Sequence, residues 1–192
     1  KTERDSLKPG IYHIVIDSRH FNGELTYGEL LLPGKSKKEV LLSTYICHPN
    51  MANNEVSGPV LITWLAKWLK TLDRRLSYRI VIVPETIGSI VYLSKNYLTM
   101  KKNTIAGYVL TCVGDDRAYS YLESKEADTL SDRALRKVLG ELHPDYRTYS
   151  FLERGSDERQ YNSPGIDLPV CDFCRSKYGE YPEYHTSADD MS

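Results

Sequence analysis

Two histidines and several carboxylates occupy positions from which they could bind a metal ion. His48, Glu85 and Asp115 each come just after an apolar run that is typical of a buried strand. Asp157 and His185 lie farther along, in polar segments without strand or helix periodicity. Histidine nitrogen and carboxylate oxygen are ligands that zinc accepts in open sites. A glutamate beside such an ion is a natural general base, so these residue types predict metal-assisted hydrolysis.

Each of these residues also has a simpler structural interpretation. A single histidine after a strand is more often a hydrogen-bonded structural residue than a ligand, and Glu85 could be a charge that begins a helix. Arg159 and Tyr161 could orient a substrate carboxylate or an oxyanion, but a structural salt bridge between Arg159 and Asp157 is an equally good interpretation. Only the joint placement of these residues at one edge of a sheet favours a functional site.

The elements that would bring these residues together are alternating strands and helices. Apolar or alternating runs predict strands at residues 11–17, 24–32, 40–46, 78–84, 105–113, 118–123, 146–151 and 168–173. Helical spacing predicts helices at residues 60–72, 87–97 and 130–142. The sequence therefore predicts an α/β three-layer sandwich with a mixed, mostly parallel central sheet. In such sheets, ligands bind beyond the carboxyl ends of the strands.

Two local predictions concern the first strands and the first helix. Residues 11–17 and 24–32 are expected to form a hairpin with Gly23 in its turn, and residues 10–34 to be a small β subdomain or an edge of the sheet. Trp64 and Trp68 recur at helical spacing, so we expect them to anchor that helix in the core. Stacking on a substrate is the less favoured alternative.

Segments of the chain resemble zinc aminopeptidases that use two co-catalytic metal ions. Residues 52–58, Ala-Asn-Asn-Glu-Val-Ser-Gly, resemble the A-N-D-N-x-S-G loop of that family, and residues 182–189 resemble its closing N-P-x-Y-H-T-x-x-D. The resemblance implies that His48 and His185 bind metal. It also implies that Asp157 stands in the family's S-D-H segment and Glu85 in its E-E pair of base and ligand.

A closer resemblance covers nearly the whole chain. Residues 110–115, 157–161 and 183–189 are similar to the aminopeptidase-like domain of bacterial proteins linked to polysaccharide biosynthesis. Those proteins are longer, which implies that residues 1–192 are a single domain from a longer protein. The resemblance leaves three functions open: a zinc hydrolase of amide or peptide bonds, a catalytically impaired binding domain, and an amidase or deacetylase of amino sugars.

Departures from the aminopeptidase pattern reduce the expected number of metal ions. Asn54 stands where the family has an aspartate that bridges two metals, and Thr111 aligns with a metal-binding aspartate. Glu55 replaces an asparagine and could swing in to supply the missing charge. We therefore expect one zinc ion rather than two, with Glu85 as the base. The candidate ligands are His48, Asn54, Glu85, Asp157 and His185.

Composition limits the possible partners. The chain has 192 residues and a net charge of −1, from 25 basic and 26 acidic side chains, so it gives no sign of binding nucleic acid or an anionic membrane. No apolar run reaches membrane-spanning length and the N-terminus does not resemble a signal peptide, so we expect a cytoplasmic protein that acts on a small molecule or a peptide. Its only Cys-x-x-Cys pair, Cys171 and Cys174, lacks a second pair and is interpreted as two thiols.

Overall fold

The computed structural model describes residues 5–191. Its strands are β1 (Gly28–Leu32), β2 (Glu39–Tyr45), β3 (Ser77–Val83), β4 (Thr104–Leu110), β5 (Ser120–Leu122), β6 (Arg147–Tyr149) and β7 (Val170–Cys174). Its main helices are α1 (Ser57–Lys70), α2 (Ile87–Asn103), α3 (Leu130–Leu142) and α4 (Glu158–Tyr161). A π-helical turn, Ala52–Val56, leads into α1, and a 3-10 turn, Phe151–Glu153, comes before α4. None of the helices in the described residues is long and apolar enough to cross a membrane.

The strands form one sheet in the order β1-β3-β2-β4-β7-β5-β6. The four central strands, β3, β2, β4 and β7, run parallel. By contrast, β1 pairs antiparallel with β3, and β5 pairs antiparallel with β7. This topology confirms the predicted mixed, mostly parallel sheet.

Helices cover both faces of the sheet because the central strands are apolar on both sides. In β2, Leu41 packs with residues of α2 and α4, whereas Leu42 packs with residues of α1. Tyr108 of β4 packs beside the α1 cluster and also against the cluster that contains Leu139 of α3. Therefore α1 and α3 share one face and α2 and α4 share the other, which is the predicted three-layer sandwich. A strand buried on both faces needs this continuous apolar sequence.

The predicted hairpin is wrong. Residues 11–27 contain no strand, and Ile11, Ile14, Val15 and Ile16 are all exposed. An alternating pattern specifies a strand only where a partner strand is available, and this segment has none in the described residues. The strand predicted at residues 24–32 is shortened to β1, which lies at the edge of the sheet.

The prediction that the two tryptophans anchor α1 in the core is also wrong. Trp64 and Trp68 are 62% and 58% exposed. The face of α1 that packs on the sheet instead carries Ile62, Ala66 and Leu69. The helix therefore has two apolar stripes, and periodicity alone did not reveal which of them meets the sheet.

A buried ion network ties together the first three strands. Arg79 of β3 is 4% exposed, and its Nε atom donates to Oε1 of Glu39 on β2 at 2.9 Å. Its Nη1 atom donates to Glu29 of β1 and to the Tyr92 hydroxyl of α2, each at 2.7 Å. Since these partners come from three other elements, the guanidinium fixes the arrangement of β1, β2, β3 and α2.

We expect Arg79→Met to lower the free energy of unfolding by about 3–5 kcal/mol, because it leaves the buried carboxylate of Glu39 without its cation. Chemical denaturation measures the loss. Arg75→Met is the matched control, since Arg75 is exposed in the loop before β3 and takes no part in the network, and it should change stability by less than about 0.5 kcal/mol. Equal losses in the two variants would contradict a structural role for the network.

Candidate active site

The two histidines singled out by the sequence meet in space. The ring centroids of His48 and His185 are 4.8 Å apart and the rings are inclined at 68°. Both side chains are exposed. His48 follows the carboxyl end of β2, and His185 belongs to the segment after β7. The structure therefore brings the first and last recognised motifs to one edge of the sheet.

His185 is held in an uncommon backbone conformation. Its φ angle is +55°, a left-handed value that residues with a side chain seldom adopt. The ring of Tyr184 stacks on the imidazole at a centroid distance of 3.9 Å and an angle of 14°. This stacking restricts the rotation of the imidazole and directs it towards His48.

Glu55 positions the backbone that carries His48. Its carboxylate is 2% exposed and accepts a hydrogen bond from the backbone N–H of Cys47 at 2.5 Å. Burial raises the pKa of Glu55, against the lowering effect of hydrogen bonds from the N–H groups of Cys47 and His48. Because this carboxylate already binds the loop backbone, the expectation that Glu55 swings in as a metal ligand does not fit the structure.

Asn54 lies beneath the loop with one polar atom unused. Its Nδ2 atom donates to the Tyr45 hydroxyl at 2.8 Å and to Cys112 Sγ at 3.6 Å. Its Oδ1 atom is buried and has no hydrogen-bond partner among the described residues. Thr111 donates to the same Tyr45 hydroxyl. Asn54 and Thr111, the two neutral replacements, are therefore joined through one tyrosine.

Glu85 stands at the end of β3 with its carboxylate free of hydrogen bonds to the described residues. Its side chain is half-buried, and its backbone N–H donates to Cys47 Sγ at 3.0 Å. Thr86, the next residue, has a φ angle of +62°. A β-branched residue in this region is a genuine outlier. The chain thus turns sharply just after the predicted base.

Asp157 supports that turn. It is fully buried, and its Oδ1 atom accepts hydrogen bonds from Thr86 N–H at 2.8 Å and from Ser89 Oγ at 2.7 Å. Its Oδ2 atom is buried without a partner. Burial raises the pKa of Asp157 to about 7, although the bonds from Ser89 and Thr86 act in the opposite direction. The carboxylate therefore contacts the backbone directly after Glu85.

The residues predicted to bind substrate do not face the histidine pair. Tyr161 is fully buried in the core, where its hydroxyl hydrogen-bonds Ser43 Oγ at 2.8 Å, so a role in contacting substrate does not fit. Arg159 is exposed and lines a separate cavity together with Phe151 and Arg154. The predicted salt bridge between Arg159 and Asp157 is not formed.

Asp115 also has a structural role. It is 1% exposed and accepts hydrogen bonds from Asn53 Nδ2, from Ser176 N–H and from Ser176 Oγ, at 2.8–3.0 Å. Burial opposes its charge, but these bonds and one from Arg117 N–H lower its pKa overall. Asp115 therefore holds the side chain of Asn53, next to Asn54, and does not face the histidines with a free oxygen.

Asp189 is the positioning residue that the sequence interpretation missed. Its Oδ1 atom accepts hydrogen bonds from the backbone N–H groups of Asn53 at 2.8 Å and Asn54 at 3.2 Å, and its Oδ2 atom accepts one from Tyr181 at 3.0 Å. The residue is 6% exposed. The only available signal was its place in the closing motif, four residues after His185.

The donor types at this edge of the sheet are among those that zinc accepts. In the described residues, no group of three or more His, Cys, Asp and Glu side chains is arranged to hold a metal. The positions of two family ligands are taken by Asn54 and Thr111, whose neutral side chains leave a second cation uncompensated. Two imidazoles that already meet supply nitrogen ligands of the kind that zinc accepts, and the amide oxygen of Asn54, in the turn that follows His48, is buried without a hydrogen-bond partner in the described residues.

Comparison with known proteins agrees with the fold and with the motifs. Residues 13–192 match the family model described as Domain of unknown function (DUF4910). The chain belongs to this family. A Clostridium acetobutylicum protein provisionally named as a polysaccharide biosynthesis protein with an aminopeptidase-like domain is 46% identical over 187 residues, which are 97% of this chain and 43% of that protein. The predicted resemblance to this group is confirmed, and the chain is an aminopeptidase-like domain.

Solved structures extend the comparison. A crystal structure from Clostridium acetobutylicum, provisionally named as a peptidase, has a TM-score of 0.82 and 46% identity and covers 86% of this chain and 39% of that one. BSAP, a zinc aminopeptidase from Bacillus subtilis, has a TM-score of 0.69 and 17% identity over 86% of this chain and 43% of its own. The fold is thus that of zinc aminopeptidases. The chain spans less than half the length of each of these relatives.

We expect Asp189→Ala to loosen the loop at residues 52–56, because it leaves two buried backbone N–H groups without an acceptor. The free energy of unfolding should fall by about 2–3 kcal/mol. Hydrogen exchange at the amides of Asn53 and Asn54 should quicken, which NMR or mass spectrometry measures.

Asp116→Ala is the matched control, since the Asp116 side chain is 97% exposed and, in the part of the chain that the structure describes, makes only a 3.5 Å ion pair with Arg175. It should leave both quantities unchanged. Unaltered exchange in Asp189→Ala would show that the carboxylate does not hold the loop.

Proposed function

We propose that the domain hydrolyses an amide or peptide bond with one zinc ion held between His48 and His185. The observation that carries this proposal is the 4.8 Å approach of two exposed imidazoles from segments far apart in the sequence. Both rings are exposed, so a ligand can reach them. The fold of zinc aminopeptidases supports the proposal.

The residues around the pair take separate roles in this proposal. The oxygen of Asn54 is the third candidate ligand, because it is buried and otherwise unpartnered. When bound, zinc lowers the pKa of a coordinated water and polarises a carbonyl oxygen. Glu85 accepts the proton, since its half-buried carboxylate is free of hydrogen bonds to the described residues. Asp157 keeps Glu85 in place through the N–H of Thr86 and is a positioning residue in this scheme.

The substrate class follows from the relatives more than from the site. A link to polysaccharide biosynthesis in the name of the Clostridium relative favours an N-acylated amino sugar, whereas the aminopeptidase fold favours an aminoacyl amide. We propose a small molecule or a short peptide as substrate, in the cytoplasm, with no nucleic acid or membrane partner. Assays of both substrate classes with zinc-loaded protein distinguish them.

We expect His48→Ala combined with His185→Ala to abolish stoichiometric zinc binding while thermal unfolding remains cooperative. Both rings are exposed, so their removal costs little packing. Titration calorimetry of chelator-treated protein measures the metal, and calorimetric unfolding measures the fold. His143→Ala is the histidine control, because its ring stacks on Tyr119 at 3.6 Å and should not contribute to binding. Equal zinc binding by the double variant would rule out this centre.

A second candidate function is a binding domain that keeps the cleft but no longer hydrolyses. The observation that favours it is the neutral chain of hydrogen bonds from Asn54 through Tyr45 to Thr111, which occupies the positions of two metal-binding carboxylates. Restoring the charges separates the two candidates.

If the domain is the impaired form, Asn54→Asp combined with Thr111→Asp should create hydrolysis of aminoacyl amides that the natural chain lacks. Initial rates with zinc and with manganese measure it, and a melting curve confirms that the double variant is folded. Adding Glu85→Gln to the double variant is the control and should remove the new activity. Comparable zinc-dependent activity in the natural chain would exclude the impaired form and support hydrolysis.

A further inference from the structure

A cleft on the far side of α4 is lined by cations that the candidate active site does not use. Its walls include Lys125, Phe151, Leu152, Arg154, Arg159 and Gln160, and its volume is about 360 Å³. This cationic cleft has a size typical of small-molecule sites. Neither histidine of the pair lines it.

Helix α4 separates the cationic cleft from the histidine site. Successive residues of an α-helix are about 100° apart, so Arg159 points about 200° away from Asp157 around the helix. Asp157 accordingly reaches Thr86 and Ser89, while Arg159 lines the cleft. One short helix therefore forms a wall of both sites.

The cleft holds positive charge that the protein leaves uncompensated. Arg159 is exposed and makes no side-chain hydrogen bond or ion pair within residues 5–191. Arg154 makes one hydrogen bond, to the carbonyl oxygen of Phe151 at 3.1 Å. Lys125 is paired with Asp167 at 2.6 Å, but Asp167 also lies 3.6 Å from Lys101. Two guanidinium groups thus remain to attract an anion.

Contacts within the protein order part of the cleft before any ligand arrives. The guanidinium of Arg154 lies over the Phe151 ring at 4.7 Å, which orients its planar fork. Asn162, on the cleft floor, accepts from Lys125 N–H at 3.0 Å and donates to the carbonyls of Glu158 and Val170. A preorganised fork matches a carboxylate or phosphate and reduces the entropic cost of binding.

We propose that the cationic cleft binds an acidic sugar unit of a glycan, through its carboxylate or phosphate group. Arg154 and Arg159 supply the contacts to the anion. The side-chain amide of Gln160 makes no hydrogen bond in the described residues and can bind sugar hydroxyl groups. The apolar face of a sugar ring can pack against Phe151, Leu152 and Pro164. A second cavity of about 350 Å³ shares Gln160 and Ser163 with the cleft, which leaves room for a further sugar unit. The choice of a sugar rests on the glycan link in the proposed function, whereas the anion site rests on the cleft alone.

Titration calorimetry with trigalacturonic acid, maltotriose, glucose 6-phosphate and inorganic phosphate tests the cleft. We expect trigalacturonic acid or glucose 6-phosphate to bind, with the preference between them identifying the anion, and added salt to weaken the binding. Maltotriose should not bind detectably. Absence of binding by both acidic sugars, or equal binding by maltotriose or by inorganic phosphate, would overturn the proposal.

Variants locate the binding and separate it from the metal centre. Arg159→Ala should weaken binding about ten-fold or more, and Arg159→Lys should restore only part of it. Arg133→Ala on α3 is the matched control and should bind normally, since Arg133 is exposed and its side chain, within residues 5–191, pairs only with Asp128. An equal effect of the two alanine variants would contradict the assignment. The variant with His48→Ala and His185→Ala should bind the acidic sugar unchanged, so failure of the zinc proposal leaves this test intact.

Discussion

The candidate site depends on a carboxylate that touches no substrate, that of Asp189. It accepts two backbone N–H groups from the loop after β2 and the hydroxyl of Tyr181, so it binds the end of the chain to its first third. Together with the hydrogen bond from Ala52 N–H to the Asp189 carbonyl oxygen at 3.2 Å, it fixes the segment that carries His185 against the loop that follows His48. A metal site made from two distant segments needs such a clamp, because each ligand must be placed within a fraction of an ångström.

The central sheet was predictable because its strands are apolar on both faces, which is compatible with burial between two layers and not with an exposed face. β2, β3 and β4 are apolar on both faces, and strands of that kind pack only between two layers of helices. The errors arose where periodicity specifies spacing but not partners. Residues 11–17 alternate as a strand does, yet no neighbouring strand pairs with them in the structure. Trp64 and Trp68 have helical spacing, yet the sheet meets the other apolar stripe of α1.

His48 and Glu85 were predictable for a related reason, whereas His185 was recognised through the closing motif. Parallel strands bring their carboxyl ends to one edge, so a histidine after β2 and a glutamate after β3 must be neighbours in the fold. The residues that position them were not predictable. Glu55 and Asp189 act through backbone N–H groups, and a carboxylate that binds backbone has no distinguishing sequence pattern. Likewise, the burial that makes Asp157 a support for Thr86 comes from tertiary packing and not from its own loop.

Backbone strain gives an independent view of the same region. Among the described residues, Thr86, Cys112 and His185 have positive φ angles and adjoin or belong to the candidate site, whereas Ala127 and Asp167, which also have positive φ angles, lie elsewhere. Such conformations cost about 1–3 kcal/mol each and persist only where the surrounding structure enforces them. The structure shows such contacts for two of these residues. The backbone N–H of Thr86 donates to the buried carboxylate of Asp157, and the ring of His185 stacks on Tyr184. The backbone conformations that hold Glu85 and His185 in place therefore lower the stability of the fold. A fold that used this edge only as packing would gain by relaxing both residues, so the strain favours a site whose geometry still matters.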